Sequence, residues 1–434
     1  MKRVFIQNFG CRATQADGAA LEGELLRRGF QPADERRAAD LVILNTCTVT
    51  ATADGDVRQA VRRVHRENPG ARILVTGCYA QRAPEEVAAL PGVSWVVGNS
   101  HKTQIPDLLG YEETGAAPYH GQIFVGDIFA QRELLSAPVE DAFGGRSRPN
   151  LKVQDGCNNR CSFCIIPFVR GRSRSASPDQ VLEQVRRLAS KYREVVLSGI
   201  NLGRWGRDVA PQMRLAGLVR RLLLETEVER LRLSSVEPMD LSDELLGLMA
   251  ESPRIARHVH APLQTGSDAI LKRMKRRYRA RHYEDRIRKA HALMPDAAFG
   301  ADVMVGFPGE TDQEFQENRQ FIAALPFTYL HVFTYSERPG TPAATLAGTV
   351  PVPVRKGRNR ILTGLAAEKN LAFRRRMVGR TLSVVTLDEP GLALSDNYLQ
   401  VELAAPREAN SIIEVGVGAV TRKGVREHSP FQVL

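Results

Sequence analysis

Residues 156–164 read GCNNRCSFC and carry Cys157, Cys161 and Cys164 in a Cys-x3-Cys-x2-Cys pattern. Thiolates are soft ligands that hold iron–sulfur clusters. A cubane cluster has four irons, so three thiolates leave one iron open to a small chelating molecule. Zinc is the alternative, but zinc usually takes four ligands in paired spacing, and no fourth ligand is adjacent here.

The sequence around this loop predicts an open or partial (β/α)6 barrel over residues 151–350. Six apolar segments alternate with helical patterns, and the cysteine loop directly follows the first of them. The predicted strands are residues 151–154, 194–198, 230–234, 258–262, 299–305 and 329–335. Functional residues of such a barrel lie beyond the carboxyl ends of its strands.

Residues 1–110 predict a separate α/β domain with a parallel, Rossmann-like sheet. Its predicted strands are residues 2–8, 41–44, 72–76 and 95–97, and its predicted helices are residues 17–28 and 54–67. Cys11, Cys47 and Cys78 each lie just beyond a strand, so all three meet at one sheet edge. A lone cysteine there is usually packing, but three such placements predict a second metal centre, whose open iron would carry sulfur.

The remaining segments predict a linker, a basic helix and a small all-β barrel. The linker covers residues 111–150, with an isolated strand at 122–129, and the helix covers 351–378. Residues 379–434 alternate as short strands at 382–387, 398–403, 411–420 and 432–434. The overall fold class is therefore α/β with a terminal β-barrel.

Composition favours a cytoplasmic protein with a polyanionic partner. The chain has 434 residues, a formal charge of +11 and six cysteines, and cysteines in such a chain favour metal chemistry over disulfides. It has no eighteen-residue apolar run and no recognisable signal peptide, so we expect no membrane association. Two basic patches are candidate RNA-binding sites: Lys272, Arg273, Lys275, Arg276 and Arg277, and Arg374, Arg375 and Arg376. A solvated charged face is the alternative for each patch.

Polar residues and glycines at other strand ends fit a cofactor pocket at the same edge of the barrel. The candidate cofactor-binding residues are Ser198, Gly199, Ser235, Glu237, Gln264, Ser267 and Gly306. Any one of them alone also fits an ordinary strand-to-helix turn, with a helix N-cap at Ser267 or Thr311.

The Cys-x3-Cys-x-aromatic-Cys loop after the first barrel strand resembles the radical S-adenosylmethionine superfamily. The resemblance implies that S-adenosylmethionine chelates the open iron and is cleaved by one electron to a 5′-deoxyadenosyl radical. It assigns the catalytic cluster to Cys157, Cys161 and Cys164 and places Phe163 against the cofactor.

The three-part organisation resembles the methylthiotransferases, which carry two 4Fe–4S clusters. The phrases QDGCNN at 154–159, CIIP at 164–167 and GTP at 340–342 are typical of that family, and LSDNY at 394–398 resembles an RNA-binding TRAM domain. Members act on N6-isopentenyladenosine or N6-threonylcarbamoyladenosine in tRNA, or on an aspartate of a ribosomal protein. The phrases NTCTVT at 45–50 and SSVEP at 234–238 look most like the threonylcarbamoyladenosine group.

The resemblance implies methylthiolation of carbon 2 of adenosine 37 in the tRNA anticodon loop. The radical would remove hydrogen, the cluster of Cys11, Cys47 and Cys78 would supply sulfur, and a second S-adenosylmethionine would supply the methyl group. A low-potential electron donor such as flavodoxin or ferredoxin is implied, and the sulfur donor is unspecified. The alternatives are a non-catalytic metal-containing RNA-binding protein and a simple electron carrier; the missing fourth thiolate in each trio counts against the carrier.

Overall fold

The amino-terminal unit is a six-stranded, all-parallel sheet in the order β2-β1-β3-β4-β5-β6. The computed structural model describes residues 2–110, 121–132, 134 and 147–428. The strands are β1 (Arg3–Asn8), β2 (Gln31–Pro32), β3 (Leu41–Thr46), β4 (Arg72–Gly77), β5 (Val93–Gly98) and β6 (Gln122–Phe124). The helices are α1 (Arg12–Arg27), α2 (Ala51–Glu67), α3 (Cys78–Arg82), α4 (Pro84–Ala88) and α5 (Ile105–Gly110). β3 and β5 are buried throughout, as expected for parallel strands covered on both faces.

Several details of this unit differ from the sequence prediction. The short β2 and the helices α3, α4 and α5 were not predicted. α1 begins at Arg12, five residues earlier than predicted, and follows Cys11 at its N-cap position. β6 lies within the predicted linker but pairs in parallel with β5, so the sheet extends beyond residue 110.

The central unit contains the six predicted parallel strands in chain order, wrapped as a partial barrel. The strands are β7 (Asn150–Asp155), β8 (Arg174–Ser175), β9 (Glu194–Gly199), β10 (Arg230–Leu233), β11 (His258–His260), β12 (Ala298–Val305) and β13 (Tyr329–Thr334). The helices are α6 (Ile166–Arg170), α7 (Pro178–Ala189), α8 (Leu215–Glu225), α9 (Asp243–Glu251), α10 (Asp268–Arg273), α11 (Ala280–Leu293) and α12 (Asp312–Ala324). The short β8, which was not predicted, pairs antiparallel with β7. The sheet is interrupted between β10 and β11, which are linked by an isolated bridge from Leu231 to Ile255.

The terminal unit is a closed five-stranded barrel that follows the long helix α13 (Val352–Met377). Its strands are β14 (Thr381–Thr386), β15 (Leu392–Ser395), β16 (Gln400–Glu402), β17 (Ile412–Val420) and β18 (Val425–Glu427). β15 and β18 were missed, since strands of four and three residues carry too little alternation to detect. The predicted strand at 432–434 lies outside the described residues. No helix within the described ranges has the length and apolar character needed to cross a membrane.

A buried ion network joins the amino-terminal sheet to the barrel. The carboxylate of Asp17, on α1, accepts hydrogen bonds from Lys102 Nζ at 3.1 Å, Arg170 Nη2 at 3.1 Å and Lys152 Nζ. Asp155, at the end of β7, accepts from Lys152 at 2.8 Å and from Arg170 at 3.0 Å. All five side chains are buried, so the network fixes α1 against the first barrel strand.

Burial raises the pKa of Asp17, but Lys102, Lys152 and Arg170 outweigh it and lower the pKa from 3.8 to about 2. The folded state therefore favours the charged carboxylate. Since the folded pKa lies below the unfolded one, this stabilisation is present above about pH 4 and is lost as the pH falls towards 2.

We predict that Asp17→Ala lowers the free energy of unfolding by about 3–5 kcal/mol, because it leaves three buried cations without their shared carboxylate. Urea titration of the purified protein at pH 7 measures the change. The control is Glu24→Ala on the same helix, whose exposed ion pairs with Arg27 and Arg28 contribute at most about 1 kcal/mol. Equal losses of unfolding free energy in the two variants would contradict the larger contribution predicted for the buried network.

Candidate functional site

The first cysteine trio converges at the carboxyl edge of the amino-terminal sheet, as the parallel topology predicts. β1, β3 and β4 are neighbours, and Thr46 pairs with Gly77, so Cys47 and Cys78 leave the sheet side by side. Cys47 and Cys78 are buried, whereas Cys11 is exposed. Burial, and then the neighbouring Cys78 and Cys11, raise the pKa of the Cys47 thiol to about 12.

Glycines with left-handed backbone allow this convergence. Gly10 has φ +98°, and a Cβ on it would lie 2.5 Å from the Cβ of Cys47. Gly77 has φ +99°, and a Cβ there would lie 2.5 Å from the carbonyl oxygen of Thr46. A larger residue at either position would push a cysteine away from the others.

The second trio lies in the loop after β7, where an active site of this fold belongs. Gly156 has φ +68° and packs so tightly that a Cβ would lie 2.0 Å from the carbonyl oxygen of Arg172. The loop closes through the Cys157 amide, which donates to Gly171 O at 3.1 Å. Burial, then the nearby Cys161 and Cys157 thiols, raise the pKa of Cys164 to about 12.

Nitrogen donors already surround the sulfurs of the second trio. Arg276 Nη1 donates to Cys161 Sγ at 3.3 Å, and the Asn159 amide donates to Cys157 Sγ at 3.4 Å. Asn201 Nδ2 lies 3.8 Å from the same Cys157 sulfur. Such donors stabilise thiolate charge, which a metal-bound sulfur requires.

Among the described residues, neither cysteine trio forms a compact single-ion site. Three ligands of one zinc at about 2.3 Å lie about 3.8 Å apart. In the described part of the chain, a compact group of three ligand atoms within 4.8 Å is formed by His260, Asp302 and His331, and by neither cysteine trio. All six cysteines are free thiols, and three thiolates are the ligand set that leaves one iron of a cubane cluster open.

A cavity of about 510 Å³ lies where the three units meet. Its wall includes residues of the amino-terminal unit, the central barrel and the terminal barrel. Among them are Cys11, Arg12, Gly199, Ser235, His258, His260, Asp302, Tyr329, His331 and Tyr398. The volume is in the range of small-molecule and cofactor sites.

Stacked rings form one wall of this cavity. His258 stacks on Tyr398 with ring centroids 4.3 Å apart and on Tyr329 at 5.9 Å. Burial and the nearby Arg232 lower the pKa of His258 well below its usual value, so this ring is neutral. A flat, partly polar wall of this kind suits a planar heterocycle.

A histidine–carboxylate group lies beside the ring stack. Asp302 Oδ1 is 3.1 Å from His331 Nδ1 and 3.5 Å from His260 Nε2, and Ser235 Oγ is 2.7 Å from His260 Nδ1. Burial raises the pKa of Asp302, but its hydrogen bonds to the two histidines outweigh this and hold the pKa well below its usual value.

The predicted cofactor-binding residues divide into two groups. Gly199 and Ser235 line the cavity, and the half-buried Glu237 pairs with Arg276, which contacts the second cysteine loop. Phe163 packs in an apolar cluster with residues that include Met274. Gln264, with φ +67°, lies beside β12 through its backbone.

Three other candidates make contacts within the protein, and their cofactor-binding role stays a prediction. Ser198 Oγ donates to Leu151 O at 3.4 Å, and Ser267 Oγ donates to Glu317 at 3.1 Å. A Cβ on Gly306 would lie 2.3 Å from Cγ of Arg355, so an arginine stem fills the space expected for a ligand. Ser267 also makes no side-chain cap bond, whereas Thr311 caps α12 as predicted.

Two predicted RNA-binding arginines are turned inward. The side chain of Arg276 is 5% exposed and is bound to Cys161 and Glu237. Arg374 is buried and donates to Thr421 O at 2.7 Å, tying α13 to the terminal barrel. These two are therefore unsuited to phosphate contacts, while Lys272, Lys275, Arg277, Arg375 and Arg376 are exposed and Arg273 is partly exposed and paired with Glu314.

The barrel and its cysteine loop define a radical S-adenosylmethionine protein. Residues 151–322 match the Radical SAM superfamily, and residues 3–98 match the uncharacterized protein family UPF0004. The structure of the radical S-adenosylmethionine methyltransferase TsrM from Kitasatospora setae superposes with a TM-score of 0.56, covering 79% of this chain and 77% of that chain at 15% identity. This likeness supports the fold.

Relatives that match nearly the whole chain identify the family within this superfamily. Identity is 36% over 414 residues, 95% of this chain and 99% of the relative, to the threonylcarbamoyladenosine tRNA methylthiotransferase MtaB of Aquifex aeolicus. The MtaB of Bacillus subtilis is 37% identical over 413 residues, 92% of this chain and 90% of that one. The tRNA-2-methylthio-N(6)-dimethylallyladenosine synthase of Pelotomaculum thermopropionicum is 35% identical over 396 residues, covering 90% and 87%.

The chain belongs to the radical S-adenosylmethionine methylthiotransferases, a family of transferases that use S-adenosylmethionine and 4Fe–4S clusters. The predicted fold class and the predicted family are confirmed.

We predict that Gly10→Ala removes the metal of the first trio alone. Its Cβ would collide with Cys47, so anaerobically reconstituted protein should fall from about eight irons per chain to about four. Gly29→Ala is the matched control, because Gly29 also has positive φ (+88°) but has nothing within 4 Å of the added Cβ. Iron analysis distinguishes the two variants. Full iron occupancy in Gly10→Ala would show that an added Cβ at this position does not displace Cys47.

Proposed function

We propose that this enzyme adds a methylthio group to carbon 2 of N6-threonylcarbamoyladenosine at position 37 of tRNA, giving 2-methylthio-N6-threonylcarbamoyladenosine. The observation that carries the proposal is the cavity at the junction of the three units, whose wall includes Cys11 and residues of the barrel strands. The names of the MtaB relatives support this choice of nucleoside.

Cys157, Cys161 and Cys164 would hold the cluster that binds S-adenosylmethionine, and Cys11, Cys47 and Cys78 would hold the other cluster. When bound, these groups supply a 5′-deoxyadenosyl radical, transferable sulfur and a methyl group. Both trios fit this role, since each presents three converging free thiols.

The chain's own residues orient and shield the reaction. Arg276 and Asn201 donate to sulfurs of the second trio, and the Arg276–Glu237 pair holds the guanidinium in place. The stacked rings of His258, Tyr329 and Tyr398 hold the adenine plane. The enclosing walls keep bulk water from the radical, which prevents side reactions.

The tRNA backbone binds the exposed basic residues. Lys272, Arg277 and Arg279 line a groove of about 630 Å³ that shares Arg276 with the second cysteine loop. Arg375 and Arg376 are exposed at the end of α13, next to the terminal barrel. The enzyme works in the cytoplasm and takes electrons from a low-potential donor such as flavodoxin or ferredoxin.

We predict that Cys161→Ala abolishes reductive cleavage of S-adenosylmethionine, while Cys47→Ala retains cleavage but makes no methylthio product. The first variant loses the cluster that binds the cofactor, and the second loses the sulfur source. Chromatography of 5′-deoxyadenosine and mass spectrometry of tRNA nucleosides measure the two steps.

The same variants test the substrate in a strain lacking the gene. The wild-type chain should restore 2-methylthio-N6-threonylcarbamoyladenosine, and neither cysteine variant should do so. Full product from Cys47→Ala would exclude the sulfur role, and restoration of a 2-methylthio-dimethylallyladenosine instead would replace the proposed substrate.

We predict that Arg375→Gln/Arg376→Gln weakens tRNA binding equally with and without the threonylcarbamoyl group. Loss of two phosphate contacts should reduce the slope of log K against log salt by about 1.4–1.8. Filter binding at several salt concentrations measures the slope. Arg62→Gln/Arg63→Gln, which removes two exposed arginines of α2, is the control, and an unchanged slope in the test variant would place the tRNA elsewhere.

A further inference from the structure

Arg12 is a half-buried cation in the cavity wall, and no acidic partner is described for its guanidinium. It is the first residue of α1, next to Cys11, and it lines the cavity. Its Nη2 donates to the hydroxyl of Tyr398 at 3.2 Å, and its Nη1 is buried with no hydrogen-bond partner in the described part of the chain. A desolvated guanidinium in this state is costly unless an anion binds to it.

The rest of the wall does not neutralise Arg12. Asp302 is the one acidic residue among the described residues that line the cavity, and it is engaged by His260 and His331. The nearby Arg232 has its own partner, Glu194, at 2.7 Å. Arg12 also contributes to lowering the pKa of His258, which shows that its charge acts within this wall. The cavity therefore offers an unmatched positive charge.

The tRNA nucleosides in the names of the two kinds of relative differ in the charge of the group on N6 of adenine. A dimethylallyl group on N6 is apolar, whereas a threonylcarbamoyl group ends in a carboxylate. N6 and carbon 2 lie on the same edge of adenine, on either side of N1. A base whose carbon 2 faces the Cys11 side of the cavity therefore directs its N6 substituent towards the same wall.

We propose that Arg12 binds the threonyl carboxylate of N6-threonylcarbamoyladenosine and so selects the anionic nucleoside over an apolar one. This inference rests on the proposed function. Tyr398 holds the guanidinium in position, so the residue that stacks on His258 also orients the charge that recognises the substrate. Because a guanidinium binds a carboxylate through paired hydrogen bonds, Arg12 supplies both affinity and orientation.

The test compares two anticodon stem-loop RNAs with the cluster-loaded enzyme. One RNA carries N6-threonylcarbamoyladenosine, and the other carries its neutral carboxamide. Wild-type enzyme should prefer the carboxylate RNA by about 30-fold in kcat/KM, the effect expected for a buried charge partner. Arg12→Gln should lose about that factor on the carboxylate RNA and nothing on the carboxamide. Arg12→Lys should recover part of the loss, and Arg27→Gln at the other end of α1 should match wild type.

Equal turnover of the two RNAs by wild-type enzyme would overturn the inference without use of any variant. Equal losses on both RNAs in Arg12→Gln would also overturn it, since they would indicate damage to the neighbouring cluster; iron content and 5′-deoxyadenosine formation would report that damage. If wild-type enzyme cleaves S-adenosylmethionine but methylthiolates neither RNA, the proposed function itself is wrong.

Discussion

The shared carboxylate of Asp17 is the contact on which the relative placement of the two cysteine trios depends. It binds Lys102 from its own sheet and Lys152 and Arg170 from the barrel. Arg170 also binds Asp155, which precedes the second cysteine loop, and its Nη2 lies 3.5 Å from the Thr14 hydroxyl beside Cys11. Because these groups are buried and have several partners each, the network resists sliding of one unit on the other. Its three cations exceed its two carboxylates, and this surplus suits nearby sulfur ligands that carry negative charge.

Strong periodic signals explain how much of the fold could be predicted. The fully buried β3 and the six barrel strands are long enough to give clear apolar runs, and parallel topology then brings Cys11, Cys47 and Cys78 to one edge. The start of α1 was not predicted, since Cys11 offers no side-chain cap and its first turn lacks an acidic residue. The pairing of β6 with β5 could not be predicted, because it joins distant parts of the chain and β6 has only three residues.

In the site too, features set by local sequence could be predicted, whereas features set by tertiary packing could not. The cysteines are defined by spacing, whereas a run of basic residues does not reveal which of them turns inward. Lys275 adopts φ +55° after α10, and this turn directs Arg276 towards Cys161 while its neighbours stay in solvent. The histidine and aromatic wall did carry an overlooked signal, because His258 and His260, two residues apart on one strand, share a face. No pattern in the sequence pointed to Arg12, since its proposed role depends on a cavity that three units of the chain form together.

The position of Tyr398 shows that the terminal barrel contributes to the wall of the cavity shared by the three units. Arg232 forms a buried double hydrogen bond with Glu194 and also donates to the carbonyl oxygens of Ser395 and Asp396, both at 3.0 Å. These carbonyls lie just before Tyr398, which has φ +67° and stacks on His258. The ion pair of the central barrel thus fixes the backbone of the terminal barrel where it reaches the cavity. An isolated terminal barrel would keep its exposed basic residues but lose this wall, so the proposed contacts to the tRNA backbone and to its modified base depend on different parts of the chain.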